Sequence, residues 1–230
     1  MRTKVIKKFI LIPAIIFPIL MSVMNKLPKV FLIGDSISVF YMPYLTKDLA
    51  KISYNLERKS DNDEALKNLD VPAGSNSGDS RRVLWFLHNK LKNENFKPDL
   101  LLLNCGLHDI KRYPETQTIQ VDSAEYRKNL EEIYALLEAR KIPIIWINTT
   151  PVDDERHNSR TKIFKRYDKD VQDYNAISSE VFIRHQVPII DLYHFTKNLP
   201  GTYIDHVHYD ETTREKQAGF ISAFVAKLKK

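Results

Sequence analysis

Near-continuous apolar runs recur along the chain and constrain its fold more than any other feature. They read "VFLI" at 30–33, "LLLL" at 100–103, "IPIIWI" at 142–147 and "VPII" at 187–190. Unbroken runs of Val, Ile and Leu are typical of parallel strands that are buried on both faces. Segments whose apolar residues have the spacing of a helix lie between or after these runs, at about 39–51, 80–91, 123–140, 171–186 and 211–229. This alternation predicts an α/β protein, a three-layer α/β/α sandwich with a central parallel sheet.

The chain is long enough to bury one substantial core. Its 230 residues are 43% hydrophobic, and no repeat or low-complexity tract divides them, so one domain is predicted over residues 28–230. The single cysteine, Cys105, excludes an internal disulfide and a multi-cysteine zinc site. Because Cys105 ends a predicted buried strand, we expect it to be a small core residue rather than a nucleophile.

The N-terminus has the pattern of an export leader. Residues 1–24 carry four cations and no acid, and "MRTKVIKK" is followed there by the uncharged run "FILIPAIIFPILMSVM". The run is shorter than the roughly 20 residues that span a bilayer, which favours a signal peptide and an exported, periplasmic or secreted protein. Pro13 and Pro18 interrupt the run and no clean cleavage motif follows it, so an uncleaved membrane anchor remains the alternative.

The charge of the chain gives no indication of a nucleic-acid partner. The formal net charge is +6, and it falls to +2 when the four cations of residues 1–24 are set aside. The remaining basic and acidic residues are interspersed rather than arranged in a stripe. A nucleic-acid-binding function is therefore not expected.

Glycines and polar residues gather where the predicted strands end or the next helices begin. The segments are "GDS" at 34–36, "NSGDS" at 76–80, "NCGLHD" at 104–109, "TTPV" at 149–152 and "DHVH" at 205–208. In open parallel sheets, ligands bind beyond the carboxyl ends of the strands. The sequence therefore predicts a functional site at this edge of the sheet.

The side chains at this edge include the parts of a nucleophilic site. Ser36 lies at a predicted strand-to-helix turn, where the N–H groups of the helix start stabilise negative charge. A serine needs an imidazole base that is oriented by a carboxylate. Asp205 and His208, three residues apart in a tight loop, can lie side by side with the second ring nitrogen facing Ser36. His206 is the competing base, although its position next to Asp205 is expected to turn it away.

These segments resemble, in order and spacing, the four sequence blocks of the SGNH hydrolases, also called GDSL esterases/lipases. The resemblance covers nearly all of the chain after the leader. "GLHD" and "TTPV" are in addition similar to features of a bacterial branch of that family. The resemblance implies a flavodoxin-like fold and the hydrolysis of acyl esters through an acyl-serine, with no metal or cofactor.

The resemblance also implies a role for individual residues. Ser36 would be the nucleophile, His208 the general base and then the acid, and Asp205 the residue that orients His208. The backbone N–H groups of Ser36 and Gly78 would form part of the oxyanion hole. His108 stands where the third block of the family usually has an asparagine, whose amide is the third oxyanion donor. We expect His108 to donate in its place, although a neutral imidazole can donate from only one nitrogen.

A polar insertion, "DDERHNSRTKIFKRYDKD" at 153–170, lies at the predicted active edge. A solvated loop is the expected structure. A charged lid, from which Arg156 or Arg160 would meet an anionic substrate, is the alternative.

The function predicted from these features is that of an exported serine esterase. Its partner would be a small-molecule or carbohydrate ester, with short acyl groups such as acetyl, and a membrane tether would exist only through the N-terminus. Two other functions remain open. One is a ligand-binding protein that kept the fold but lost efficient chemistry, and the other is acyl transfer to an acceptor other than water.

Overall fold

The computed structural model describes residues 27–60, 64–116 and 118–228, and they contain the predicted parallel sheet. The strands are β1 Lys29–Ile33, β2 Asn55–Arg58, β3 Leu100–Leu103, β4 Arg112–Tyr113, β5 Thr118–Ile119, β6 Ile144–Ile147 and β7 Ile189–Ile190. Five of them form one all-parallel sheet in the order β2–β1–β3–β6–β7, and β4 and β5 pair as a small antiparallel ribbon. The apolar runs of β1, β3 and β6 are almost entirely buried, as the sequence predicts.

Helices cover both faces of the sheet. They are α1 Ser36–Lys51, α2 Glu64–Lys67, α3 Ser80–Lys90, α4 Ser123–Ala139, α5 Asp154–Arg160, α6 Asp168–Arg184, α7 Leu192–Lys197 and α8 Glu211–Lys227. Helix α8 packs against α1 and α7, whereas α4 packs against α3 and α6. The two groups form the outer layers of the predicted α/β/α sandwich.

Aspartates fix where the helices of the active edge begin. Asp35 precedes α1, Asp79 precedes α3 and Asp210 precedes α8, and each accepts a hydrogen bond from a backbone N–H of its own helix. An N-cap of this kind stabilises a helix start by about 1 kcal/mol. The cap at Asp35 begins α1 at Ser36, three residues earlier than the sequence pattern indicates, and so places Ser36 in the first turn beside the end of β1.

The polar insertion is not a solvated loop, contrary to the sequence expectation. It contains α5, capped by Asp153, and its last part pairs with the rest of the protein through a bridge between Arg112 and Lys165. Cys105 is buried in the core as expected, and burial raises the pKa of its thiol.

The predicted leader, residues 1–24, lies outside the described residues. Among the helices that the structure describes, none combines the length and the apolar character that crossing a membrane requires.

Candidate active site

Ser36, His208 and Asp205 form one hydrogen-bonded chain at the carboxyl edge of the sheet. Ser36 is the first residue of α1, and the loop before α8 supplies the other two. The Ser36 hydroxyl donates to His208 Nε2 at 2.8 Å, and His208 Nδ1 donates to Asp205 Oδ2 at 2.6 Å. Ser36 and His208 are almost fully buried. This arrangement allows the imidazole to take the proton of the serine hydroxyl while the carboxylate holds the ring.

Asp205 is held in its ionised form. Burial acts to raise the pKa of this carboxyl, but the hydrogen bonds from the His208 ring and from the backbone N–H groups of Val207 and His208 outweigh it, and the pKa lies well below its usual range. The two backbone bonds to Asp205 Oδ1 are both 2.8 Å long. The carboxylate is therefore fixed at one oxygen by its own loop and faces the imidazole with the other.

His206, the competing base, lies in a different interaction. Its Nε2 is 3.2 Å from Asp70 Oδ1, and its Nδ1 is 3.9 Å from Asp205 Oδ1. The structure therefore brings His208 to Ser36 and turns His206 towards Asp70. The partner of His206 comes from a segment that the sequence analysis did not single out.

Ser36 is the first residue of α1, and Gly78 lies in a tight turn just before α3. Gly78 has a φ of +72°, and a Cβ there would lie 2.7 Å from two atoms of Pro72, so only glycine fits. The N–H of Gly78 donates to Asn76 Oδ1 at 3.1 Å in this structure. The N–H of Ser36 has no hydrogen-bond acceptor in the described part of the chain.

His108 is a buried, neutral imidazole at the same edge. Burial lowers the pKa of its ring well below the ordinary value, and the nearby cations Lys111 and Arg166 act in the same direction. Its Nε2 is buried and has no hydrogen-bond partner in the described structure. A neutral ring with an unoccupied nitrogen is able to serve a bound ligand or a developing charge.

Arg166 supports the turn that carries His108, and the sequence analysis missed it. Its Nε donates to the carbonyl of Leu107 at 2.7 Å, and the side chain is only 1% exposed. The guanidinium lies 4.8 Å from the Phe164 ring centroid and 3.9 Å from Asp70. Arg166 comes from the polar insertion, where a buried arginine cannot be distinguished from its exposed neighbours by sequence pattern alone.

The two arginines that the sequence analysis named in the insertion differ in position. Arg156 Nη1 donates to the carbonyl of Asp205 at 3.3 Å, and its guanidinium lies 5.5 Å from the Tyr203 ring centroid. Arg160, the last residue of α5, is exposed. Arg156 therefore contacts the loop of Asp205 and His208, whereas Arg160 is placed towards solvent.

Asp35 and Asp109 brace the turns of the site through hydrogen bonds with backbone N–H groups. Asp35 Oδ1 accepts from the N–H of Ile37 at 2.9 Å. Both carboxyl oxygens of Asp109 accept from the N–H of Ser80, at 2.9 and 3.1 Å. Asp109 thereby fixes the start of α3 against the turn that carries His108.

The contribution of Asp109 to the stability of the protein is expected to fall as the pH rises from about 4 to about 7. Burial raises the pKa of its carboxyl from 3.8 to about 7, so the folded state holds a proton that the unfolded state releases in this interval. The contribution is at most ~4 kcal/mol. Asp109→Asn removes this titration. In chemical denaturation at several pH values, the free energy of unfolding of the wild type should therefore fall relative to that of the variant as the pH rises from about 4 to about 7. A difference between the two proteins that stays constant over this interval would contradict the assignment.

Comparison of the sequence with protein families assigns this parallel α/β protein to a class of hydrolases. The profile of the GDSL-like Lipase/Acylhydrolase family matches residues 32–213, and the chain belongs to that family. Membership makes the protein a hydrolase that acts on esters. The matched range includes all of the residues at the candidate site.

Solved structures of the same fold resemble this chain at low sequence identity. A lipase/acylhydrolase from Enterococcus faecalis has a TM-score of 0.64 and 20% identity over 87% of this chain and 96% of its own. The acetyl xylan esterase AlAXEase has a TM-score of 0.61 and 17% identity over 86% of this chain and 99% of its own. Est24, a carbohydrate acetylesterase from Sinorhizobium meliloti, has a TM-score of 0.55 and 13% identity over 87% of this chain and 99% of its own. No curated protein sequence matches the chain significantly. These likenesses establish the fold and carry no substrate assignment by themselves.

Proposed function

We propose that the protein is a serine esterase that hydrolyses acyl esters through an acyl-serine intermediate. Ser36 is the nucleophile, His208 is the general base, and Asp205 orients His208. The observation that carries the proposal is the continuous hydrogen-bonded chain, 2.8 Å from Ser36 to His208 and 2.6 Å from His208 to Asp205. Both distances are within the reach that proton transfer requires.

The reaction follows from this geometry in two halves. His208 takes the proton of Ser36 as its oxygen attacks the ester carbonyl, and the resulting imidazolium gives that proton to the leaving alcohol oxygen. A water molecule then attacks the acyl-serine, with His208 again as base, and releases the acid and the free hydroxyl. Asp205 stays ionised throughout, which stabilises the imidazolium formed in each half.

The oxyanion formed in each half needs hydrogen-bond donors. The N–H of Ser36 is at the start of α1, where the helix favours negative charge, and is the first donor in the proposal. Gly78 is the second, and its N–H must leave Asn76 Oδ1 or share its hydrogen bond when the oxyanion forms. His108 is the third, and its place in the sequence supports assignment to the branch that carries "GLHD" in the third block.

Removal of the His108 ring should lower kcat by about 10²–10³, the usual effect of losing one oxyanion donor. His108→Asn should lose less than His108→Ala, because an amide at this position can donate as it does in the common form of the family. Steady-state kinetics of both variants on p-nitrophenyl acetate, with thermal unfolding as a check on folding, measures the effect. Full turnover in His108→Ala would remove His108 from the mechanism.

Short acyl groups, and acetyl groups on carbohydrates in particular, are the proposed substrates. An acetyl xylan esterase and a carbohydrate acetylesterase are among the proteins that share the fold, and the predicted export of the chain agrees with a polymer substrate outside the cell. One preparation tested on acetylated oligosaccharides and on p-nitrophenyl esters of increasing chain length decides between carbohydrate acetyl esters and simple acyl esters. Hydrolysis of the aryl esters alone would remove the carbohydrate part of the proposal.

A further inference from the structure

A groove runs along α1, and Val39 and Phe40, in the helical turn that follows Ser36, are part of its lining. Its volume is about 580 Å³, and its walls include Val39, Phe40, Met42, Pro43, Leu66 and Arg214. Residues spaced three or four apart share one face of a helix, so the face that presents Ser36 continues through residues 39–40, 43–44 and 47. The groove therefore starts about one helical turn, ~5 Å along the helix axis, beyond Ser36.

Phe40 joins the groove to the catalytic chain. Its ring lies 5.1 Å, centroid to centroid, from the His208 ring in an edge-to-face arrangement. Phe40 also contacts Arg214, whose guanidinium carbon lies 3.8 Å from the Phe40 centroid. A cation held over an aromatic face at this distance is fixed in orientation. Arg214 is thus one ring away from His208.

The guanidinium of Arg214 is fixed but not neutralised by an ion pair. Its Nε donates to the carbonyl of Tyr209 at 2.6 Å. Within the described residues it forms no salt bridge, and neither of its terminal nitrogens has a hydrogen-bond partner among them. The two terminal nitrogens therefore stay available at the wall of the groove.

The acids near Arg214 are occupied by other groups. Glu211 accepts from the Tyr44 hydroxyl at 2.6 Å. Asp210 accepts from the N–H of Thr213 at 2.8 Å, and Asp205 is held by His208. None of these three carboxylates forms an ion pair with Arg214. A carboxylate or phosphate on a ligand could therefore bind the guanidinium without displacing an acid of the protein.

We propose that Arg214 selects esters that carry a negatively charged group, with the apolar part of the ligand lying in the groove over Phe40. The inference rests on the proposed serine esterase function and names the substrate class of the same site. Arginine is suited to this task because its planar fork binds a carboxylate or phosphate through two parallel hydrogen bonds. The apolar residues Phe40, Met42 and Pro43 of the groove would contact the segment between the charge and the ester.

Two matched pairs of esters test the charge, one for each side of the ester bond. Acetate esters of p-hydroxybenzoate and of its methyl ester differ in one charge on the alcohol side. The mono-p-nitrophenyl ester of adipic acid and p-nitrophenyl hexanoate differ in one charge on the acyl side. The quantity measured is the ratio of kcat/KM for the charged ester to that for the neutral ester. Intrinsic reactivity is the same for every protein variant and cancels when the ratios are compared.

The variants are Arg214→Gln, Arg214→Lys and, as the control, Lys216→Gln. Lys216 is an exposed cation of the same helix that does not line the groove. The charged-to-neutral ratio should fall about tenfold in Arg214→Gln for at least one pair, because a hydrogen bond to a charged group is lost. The ratio for Arg214→Lys should lie between those of the wild type and Arg214→Gln, and Lys216→Gln should keep the wild-type ratio. A loss of packing alone would lower kcat/KM for the charged and the neutral ester alike and leave their ratio unchanged.

The pair that responds shows whether the alcohol or the acyl group carries the charge, and either response supports the proposal. Ratios in Arg214→Gln within twofold of the wild type for both pairs would overturn it, while hydrolysis that depends on Ser36 would leave the esterase function standing. A wild-type protein that hydrolyses none of the four esters, nor p-nitrophenyl acetate, would overturn both.

Discussion

Replacing Ser36 with alanine is expected to lower kcat for ester hydrolysis by about 10⁴–10⁶. The hydroxyl oxygen is the atom that bonds to the acyl carbon, and no other side chain of the described structure is hydrogen-bonded to His208 Nε2 in its place. What activity remains would come from oxyanion stabilisation and substrate binding alone. Initial rates on p-nitrophenyl acetate, with mass spectrometry of the intact protein to detect the acyl-serine, measure both consequences.

Ser38→Ala is the matched control for this variant. Ser38 is buried in the same turn, two residues further on, but its hydroxyl donates to the carbonyl of Asp35 at 2.6 Å and does not reach His208. Its loss should cost about 1 kcal/mol of stability and leave kcat within about tenfold. Equal rates for Ser36→Ala and wild type would contradict covalent catalysis and favour the ligand-binding alternative.

The fold and the candidate site differ in how much of them the sequence determines. Unbroken apolar runs occur where both faces of a strand are covered, so the main strands of the parallel sheet can be located from the residue pattern alone. The residues that follow those strands necessarily meet at one edge. That rule places Ser36 at this edge. The loop before α8 brings His208, 172 positions further along the chain, to the same edge, where the two side chains are in contact.

The support around the site could not be predicted in the same way. The contact of His206 with Asp70 and the burial of Arg166 beneath Leu107 depend on how loops pack, and no periodic pattern records loop packing. The polar insertion does carry local sequence signals for α5, since Asp153 caps the helix and Asp154 and Glu155 begin it. Overall polarity was a poor guide there, because a seven-residue helix and one buried arginine are compatible with a highly charged segment.

His208→Ala should lose activity on the scale of Ser36→Ala, about 10⁴–10⁶ in kcat, whereas His206→Ala should stay within about tenfold of the wild type. The two histidines are the same side chain, two residues apart in one loop, and are therefore a matched pair. His208 is hydrogen-bonded to Ser36, and His206 to Asp70. Rates on p-nitrophenyl acetate, with thermal unfolding of both variants, separate the loss of a base from the loss of loop structure. The reverse order of effects would assign the base to His206.

The double variant Ser36→Ala/His208→Ala then tests whether the two residues act as a unit. Once the hydroxyl is gone, the imidazole has no proton to take from it, so the second substitution should add little to the first. Independent contributions would instead multiply, and the double variant would fall below either single variant by the product of their effects. Multiplicative losses would mean that His208 acts on the substrate by a route that does not pass through Ser36, and the hydrogen bond between them would then be structural.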